Sequence, residues 1–409
     1  MSGGTVQRLL FEKDPAFWYE TLRSLGHIAY GGADFGEVVT TAGRIVSGDY
    51  DSWHDEWLLT ADRVATRAHR SLAGGHRVSA RDGYLRASNY YRNAEFFLHA
   101  DPDDPRVEAA YRASVGSFRQ AARLLDVEVS PVRIPYEATA LPGYFYRAGP
   151  GLRPTVLVHN GFDGSAEEMH FVAAAALVER GYHVLSFDGP GQPGARHDHG
   201  LVFRPDWEHV VTPVLDFALS RSGVDGSRIA LLGNSMGGLL APRAAAFEQR
   251  IAALVALDGV TDMGALVLEQ GHSRTEVQHA LRNNPVVAGQ LAAQAERNPT
   301  VRWALGHGPW ATGTPSPAEF AARLLDFRLA DGVAEQIGCP TLVCSGASDR
   351  LFSGQPETLY QRLTCRKTFL EFTDELGAGE HCQAGAARLT MSAVSDWLDH
   401  TLSWGGNHV

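Results

Sequence analysis

Cysteine is scarce in this chain. Of 409 residues only Cys339, Cys344, Cys365 and Cys382 are cysteine, all in the last quarter and none in C-x-x-C spacing. That pattern excludes a disulfide-stapled scaffold and a zinc module, so the four read as reduced packing residues. Excess positive charge is missing as well. Lys and Arg number 36 against 47 Asp and Glu, a formal net charge of −11, and without clustered cations no nucleic-acid or anionic-membrane surface is expected. Nor does any apolar run approach the roughly 20 residues that span a bilayer. The longest, residues 171–178 and 251–257, are far shorter. The first residues lack the apolar core and small-residue cleavage site of a secretory leader. A soluble, cytoplasmic protein with a small-molecule partner is therefore expected. No fixed-period repeat and no low-complexity tract is found, which excludes a solenoid and a disordered tail, apart from a few residues after Trp404.

What is present is the composition of a folded globular protein, 44% hydrophobic and 20% charged. Up to about residue 130, apolar residues recur at helical spacing, as in Phe17, Leu22 and Leu25, then Trp53, Trp57 and Val64. The prolines and aspartates of residues 100–105 predict a turn and a capped helix over 105–125, so that acidic cluster reads as a cap and not as a metal site. After Pro131 the texture changes. Short apolar strands are expected at 132–136, 144–147, 155–159, 183–187, 228–233, 253–258, 341–345 and 368–372, most of them alternating with helical segments. This alternation predicts a mostly parallel sheet with helices on both faces. About 80 residues separate Asp258 from Cys339, too many for one crossover helix. The expected domains are a helical N-terminal domain over 1–130, an α/β core over 131–260 and 336–409, and a helical cap inserted at 261–335.

The sharpest local signal runs Ile229-Ala230-Leu231-Leu232-Gly233-Asn234-Ser235-Met236-Gly237-Gly238, an apolar strand entering Gly-x-Ser-x-Gly and then a helix. At such a turn the serine is held in a strained conformation and projects from the strand end. Two partners follow in chain order. Asp349 lies in a short loop after the strand 341–345, and His381 lies in Gly377-Ala378-Gly379-Glu380-His381-Cys382, one strand later. Neutral imidazole at His381 would take the Ser235 proton, and the Asp349 carboxylate would fix its tautomer. Asp258 and Asp262 also follow a strand and compete for the role of acid; Asp258 otherwise reads as a residue shaping the substrate pocket. An oxyanion hole is expected from the backbone N–H of Met236 and a second N–H of Phe162 or Gly161, in the loop His159-Asn160-Gly161-Phe162-Asp163-Gly164.

Two motifs mislead. Gly189-Pro190-Gly191-Gln192-Pro193-Gly194 matches GxGxxG, but its prolines and the following Ala195-Arg196-His197-Asp198-His199 are not expected to open a helix, so no dinucleotide cofactor is predicted. The His197-Asp198-His199 alternation without a nearby third ligand predicts no metal. Candidate pocket residues are Tyr84, Asn89, Tyr90 and Tyr91 in the N-terminal helices, and Trp303, Trp310 and Phe327 in the cap; Tyr90 and Trp303 stand out, although helical aromatics are commonly core.

Taken together, Gly75-His76-Arg77-Val78-Ser79-Ala80-Arg81, Arg86-Ala87-Ser88-Asn89-Tyr90-Tyr91-Arg92, Asp188-Gly189-Pro190-Gly191-Gln192, Gly233-Asn234-Ser235-Met236-Gly237-Gly238 and Gly379-Glu380-His381-Cys382-Gln383 resemble the α/β-hydrolases. Within that superfamily they resemble the group containing 2,6-dihydroxypseudooxynicotine hydrolase, the fermentation/respiration switch protein and fungal polyketide-shortening hydrolases. The resemblance implies an α/β-hydrolase fold, serine-dependent cleavage of a carbon–carbon bond next to a carbonyl or of an ester, N-terminal helices lying over the site as a lid, and homodimers. Pro193 departs from the glycine that similar proteins commonly carry there. Alternatives to hydrolysis are a lyase eliminating an acyl group with the same residues and a binding module that does not use them. A peptidase fits less well, because no strand-rich propeller precedes the core.

Overall fold

The apolar runs after residue 128 all become strands of one sheet: β1 (Glu128–Tyr136), β2 (Thr139–Arg147), β3 (Arg153–His159), β4 (His183–Phe187), β5 (Val224–Asn234), β6 (Ala253–Leu257), β7 (Thr341–Gly346) and β8 (Lys367–Phe372). The structure is a computed structural model that describes residues 8–268 and 271–404. Strand order is β1-β2-β4-β3-β5-β6-β7-β8. β2 runs antiparallel to β4, and from β4 to β8 every pair is parallel. β4, β6 and β7 are buried along their whole length, as strands covered on both faces require, and this is why they stand out in the sequence as unbroken apolar runs. β1 and β2 extend further than expected because the residues of β1 alternate between buried and exposed and the first residues of β2 are only partly buried, so neither end forms an apolar run.

The chain divides into two compact units, residues 129–268 with 324–404 and residues 8–128 with 271–323. The N-terminal helices and the inserted helices thus belong to one unit. In the sheet unit, register decides where the loops emerge. His159 of β3 pairs with Gly233 of β5, and Asn234 of β5 pairs with Leu257 of β6, so the residues that follow, Asn160, Ser235 and Asp258, leave adjacent strands at their carboxyl ends. The loops after β7 and β8 emerge on the same side, Gly346 being paired with Phe372. One local expectation is corrected: Pro193–His199 is a helix. Proline at the first helical position loses only an N–H that would be unpaired there, and Gly200, at φ +65°, closes the turn.

In the helical unit, Tyr50–Ala73 and Arg77–Glu95 form a close pair, and a β-carbon on Gly83 would come within 2.8 Å of the Ala68 methyl. Phe17, Trp53, Trp57 and Tyr90, all fully buried, form its core. Side-chain caps start the helices: Asp14, Asp34, Asp49, Asp104, Ser273, Asn284 and Asn298 each accept a first-turn N–H. Asp104 caps Pro105–Ala122 and pairs with Arg106 at 2.7 Å, which accounts for the acidic cluster. Among the described residues no helix is long and apolar enough to cross a membrane.

Candidate active site

β5 ends at Asn234 and the helix Gly237–Phe247 begins three residues later. The tight reversal forces Ser235 to φ +60°, a left-handed conformation that costs an L-residue energy and is kept where the surroundings over-determine it. Gly233 makes the reversal possible: a β-carbon there would lie 2.8 Å from the Ala241 methyl and would meet the Gly237 carbonyl. The Ser235 N–H is held by Leu257 O at 3.0 Å.

From this turn a chain of hydrogen bonds runs inward. Ser235 Oγ is 2.8 Å from His381 Nε2, and His381 Nδ1 is 2.8 Å from Asp349 Oδ2. Asp349 is fixed by its other oxygen, which accepts the Leu351 N–H at 2.8 Å and the Phe352 N–H at 3.4 Å. The aspartate and histidine loops are tied together, since Ser348 donates its N–H to Gly379 O at 2.8 Å and its hydroxyl to Asp374 Oδ2 at 2.7 Å. Burial by itself would raise the Asp349 carboxyl, but the facing His381 and the two backbone donors outweigh it and hold the group below the usual carboxylate range. Cys382 Sγ lies 3.4 Å from His381 Nε2, and burial pushes its thiol up to about 12, so it stays protonated.

The loop after β3 packs against the serine turn. A β-carbon on Gly161 would fall 2.7 Å from both Asn234 O and Met236 N, so only glycine permits this approach. Asn160 organises the loop: its Oδ1 accepts from Gly161 N at 2.8 Å and from Asn234 Nδ2 at 3.1 Å, and its Nδ2 donates to Glu168 Oε2 at 3.1 Å. Gln192, fully buried, clamps the same loop from the other side. Its Nε2 donates to Asn160 O and to Gly161 O, and its Oε1 accepts from Gly189 N at 2.7 Å. Beneath the loop, burial lowers His159 to about 4, so its imidazole is neutral.

Several expected residues fall elsewhere. Gly161 is not a spare donor, because its N–H already serves Asn160 Oδ1; Met236 N–H, by contrast, takes no acceptor among the described residues. Asp258 is fully buried, and its carboxylate is taken up by His381, Cys382 and Gln383. Asp262 caps the short turn Met263–Leu266. Tyr90 is a core residue, its hydroxyl donating to Glu37 at 2.8 Å and accepting from Asp34 N at 2.9 Å. Asn89 and Tyr91 are likewise buried and bonded within the helical unit. Trp303 stacks on Phe96 at 5.0 Å and lines a cavity of about 130 Å³ with Tyr50, His99 and His307, all in the helical unit. Phe327 is buried in the sheet unit against Phe203.

Asp258, His381 and Cys382 bring three metal-ligand atoms within 4.8 Å of one another, but both His381 nitrogens already have partners in the hydrogen-bond chain. In the Gly-Pro-Gly loop of 189–194 the Gln192 side chain turns back and accepts the Gly189 N–H. Sequence reasoning missed the clamp formed by Asn160 and Gln192 and the convergence of two aspartates on one imidazole.

The model of the serine aminopeptidase S33 family matches residues 151–377. The 20-hydroxy-prefusarin hydrolase FUS2 of Gibberella moniliformis is 36% identical over 410 residues, covering 95% of this chain and 96% of its own. The hydrolyase poxO of Penicillium oxalicum is 36% identical over 425 residues, covering 96% and 99%. Among solved structures, 2,6-dihydroxy-pseudo-oxynicotine hydrolase superposes with a TM-score of 0.72 at 23% identity, covering 92% of this chain and 95% of its own. This chain is therefore a hydrolase of the α/β-hydrolase fold and belongs to the serine aminopeptidase S33 family.

Proposed function

We propose that the protein is a serine-dependent hydrolase of a small-molecule carbonyl compound, acting on a carbon–carbon bond of a β-dicarbonyl or aryl ketone or on an ester, in natural-product or catabolic metabolism. The observation that carries this reading is the unbroken 2.8 Å and 2.8 Å relay from Ser235 through His381 to Asp349. The name of FUS2, a hydrolase of a prefusarin, supports the substrate class. In this mechanism Ser235 Oγ attacks the substrate carbonyl as His381 Nε2 takes its proton, and Asp349 steadies the imidazolium. The oxyanion lies against the N–H groups of Met236 and Phe162. Collapse breaks the bond to the leaving group, an alkoxide or an enolate, which takes the proton back from His381. Water, activated by the same imidazole, then cleaves the acyl-enzyme to a carboxylic acid and frees Ser235.

A second reading, elimination of an acyl group as carboxylate with the same residues, is favoured by the name of poxO, a hydrolyase. Turnover in ¹⁸O-water separates the two. Hydrolysis places one label in the carboxylate product at every turnover; elimination of a preformed ester leaves it unlabelled.

A further inference from the structure

Asp258 is left over once Ser235, His381 and Asp349 have been assigned. It follows β6 directly, is 0% exposed, and takes φ +57°, a conformation that strains a residue carrying a β-carbon. Both of its oxygens serve one loop. Oδ1 accepts from Gln383 Nε2 at 2.9 Å; Oδ2 accepts from the Cys382 backbone N–H and lies 3.0 Å from His381 Nδ1. Cys382 and Gln383 are themselves left-handed, each at φ +51°. One buried carboxylate thus joins three strained residues around the imidazole. A carboxylate at this depth is retained only with charge-assisted partners, and this one is aimed at the nitrogen that Asp349 already serves.

We infer that Asp258 is a positioning residue of the site, a second carboxylate that shares the His381 Nδ1–H with Asp349 and pins the turn carrying the imidazole. The inference rests on the proposed Ser235–His381–Asp349 relay. Its chemical content is that the imidazolium formed when Nε2 takes the serine proton is stabilised from two strand ends, β6 and β7. The groups facing His381 are Asp349 from the loop after β7, Asp258 from the end of β6, Ser235 from the turn after β5, and Cys382 and the Phe352 ring, with Cys344 of β7 beside Asp258. The two thiols are kept neutral by burial.

The test compares wild type, Asp258→Asn, Asp349→Asn and the double variant, each checked for fold by circular dichroism. The rate of Ser235 phosphonylation by a fluorophosphonate is followed by intact mass against pH. Asparagine tolerates the left-handed backbone at 258. Where a single carboxylate serves the histidine, its amide variant costs about 10⁴-fold because the imidazole takes the wrong tautomer. Here Asp349→Asn is expected to lose only about 10- to 100-fold, because Asp258 still accepts from Nδ1–H, and the double variant to reach about 10⁴-fold. With one of two carboxylates gone, the acid limb of the Asp258→Asn profile should move to lower pH by about one unit. Loss of about 10⁴-fold in Asp349→Asn, or a folded Asp258→Asn variant with unchanged rate and profile, overturns the inference. Should Asp258→Asn not fold, the Asp349→Asn rate alone decides between these outcomes. A wild type that takes no label defeats the relay itself; the Asp258 inference is then judged by NMR titration of His381, whose pKa should fall in Asp258→Asn and whose constancy would refute it.

Discussion

Replacing Gln192 with Met tests whether the loop after β3 is held in place by the chain itself. Met is close to Gln in length and volume, so the change removes polar atoms with little loss of packing. It leaves the Gly189 N–H without its 2.7 Å acceptor and removes the donor to Asn160 O and Gly161 O. Asn160 O keeps a contact with His159 Nδ1 at 2.9 Å, so the full loss falls on Gly189 N–H and Gly161 O. At about 1–3 kcal/mol for each of these two buried groups left unmade, a destabilisation of about 2–6 kcal/mol is expected. The functional effect should be separate. Asn160 still ties the loop to Asn234 and Glu168, so the proposed oxyanion donor, Phe162 N–H, should be displaced and not lost, and Ser235 phosphonylation should slow by about 10- to 100-fold, less than the roughly 10²–10³ of a deleted oxyanion donor. Urea unfolding gives the first quantity and intact mass against time the second. A variant with an unchanged labelling rate would refute the positioning role even if its stability fell, and unchanged stability would refute the hydrogen-bond accounting.

Three further outcomes follow from the geometry. Burial lowers His159, His170 and His183 each to about 4, with Arg147 and Arg153 adding to the effect at His183. The unfolded chain therefore takes up more protons below its ordinary imidazole pKa, and stability should fall as pH drops from about 6.5 toward 4; a urea midpoint flat across that range would contradict it. Gly161→Ala forces a methyl to 2.7 Å from Asn234 O and Met236 N, so it should abolish Ser235 labelling while leaving most of the fold, as judged by circular dichroism. Gly83→Ala presses on the Ala68 methyl at 2.8 Å and should destabilise the helical unit by about 1–3 kcal/mol without changing the labelling rate of the native protein.

How much of this was legible beforehand depended on how local each signal is. β4, β6 and β7 are buried on both faces and announce themselves as apolar runs, whereas β1 alternates and the first residues of β2 are only partly buried, so no run shows there. The serine turn is a five-residue pattern with its own steric logic, so the reversal at Ser235 is legible in the sequence, and chain order points to the Asp349 and His381 that the fold brings within hydrogen-bond distance in series with it. Gln192 stood within a quoted motif, but its function is a contact made 31 and 32 residues away in sequence. Tyr90 looked like a pocket residue only because an amphipathic ring on a helix reads the same whether it faces a cavity or a core; its bonds to Glu37 and Asp34 decide for the core. The short helix Pro193–His199 is hard to see in sequence because proline inside a helix breaks it, whereas at the first turn it starts one.

The proposed chemistry requires Ser235 to be an activated nucleophile. Intact mass after treatment with a fluorophosphonate, with peptide mapping and the Ser235→Ala variant alongside, tests it most directly. One adduct per chain is expected, located on Ser235, absent from Ser235→Ala and strongly slowed in His381→Ala. A well-folded wild type that takes no adduct, or an adduct that persists in Ser235→Ala, would contradict it.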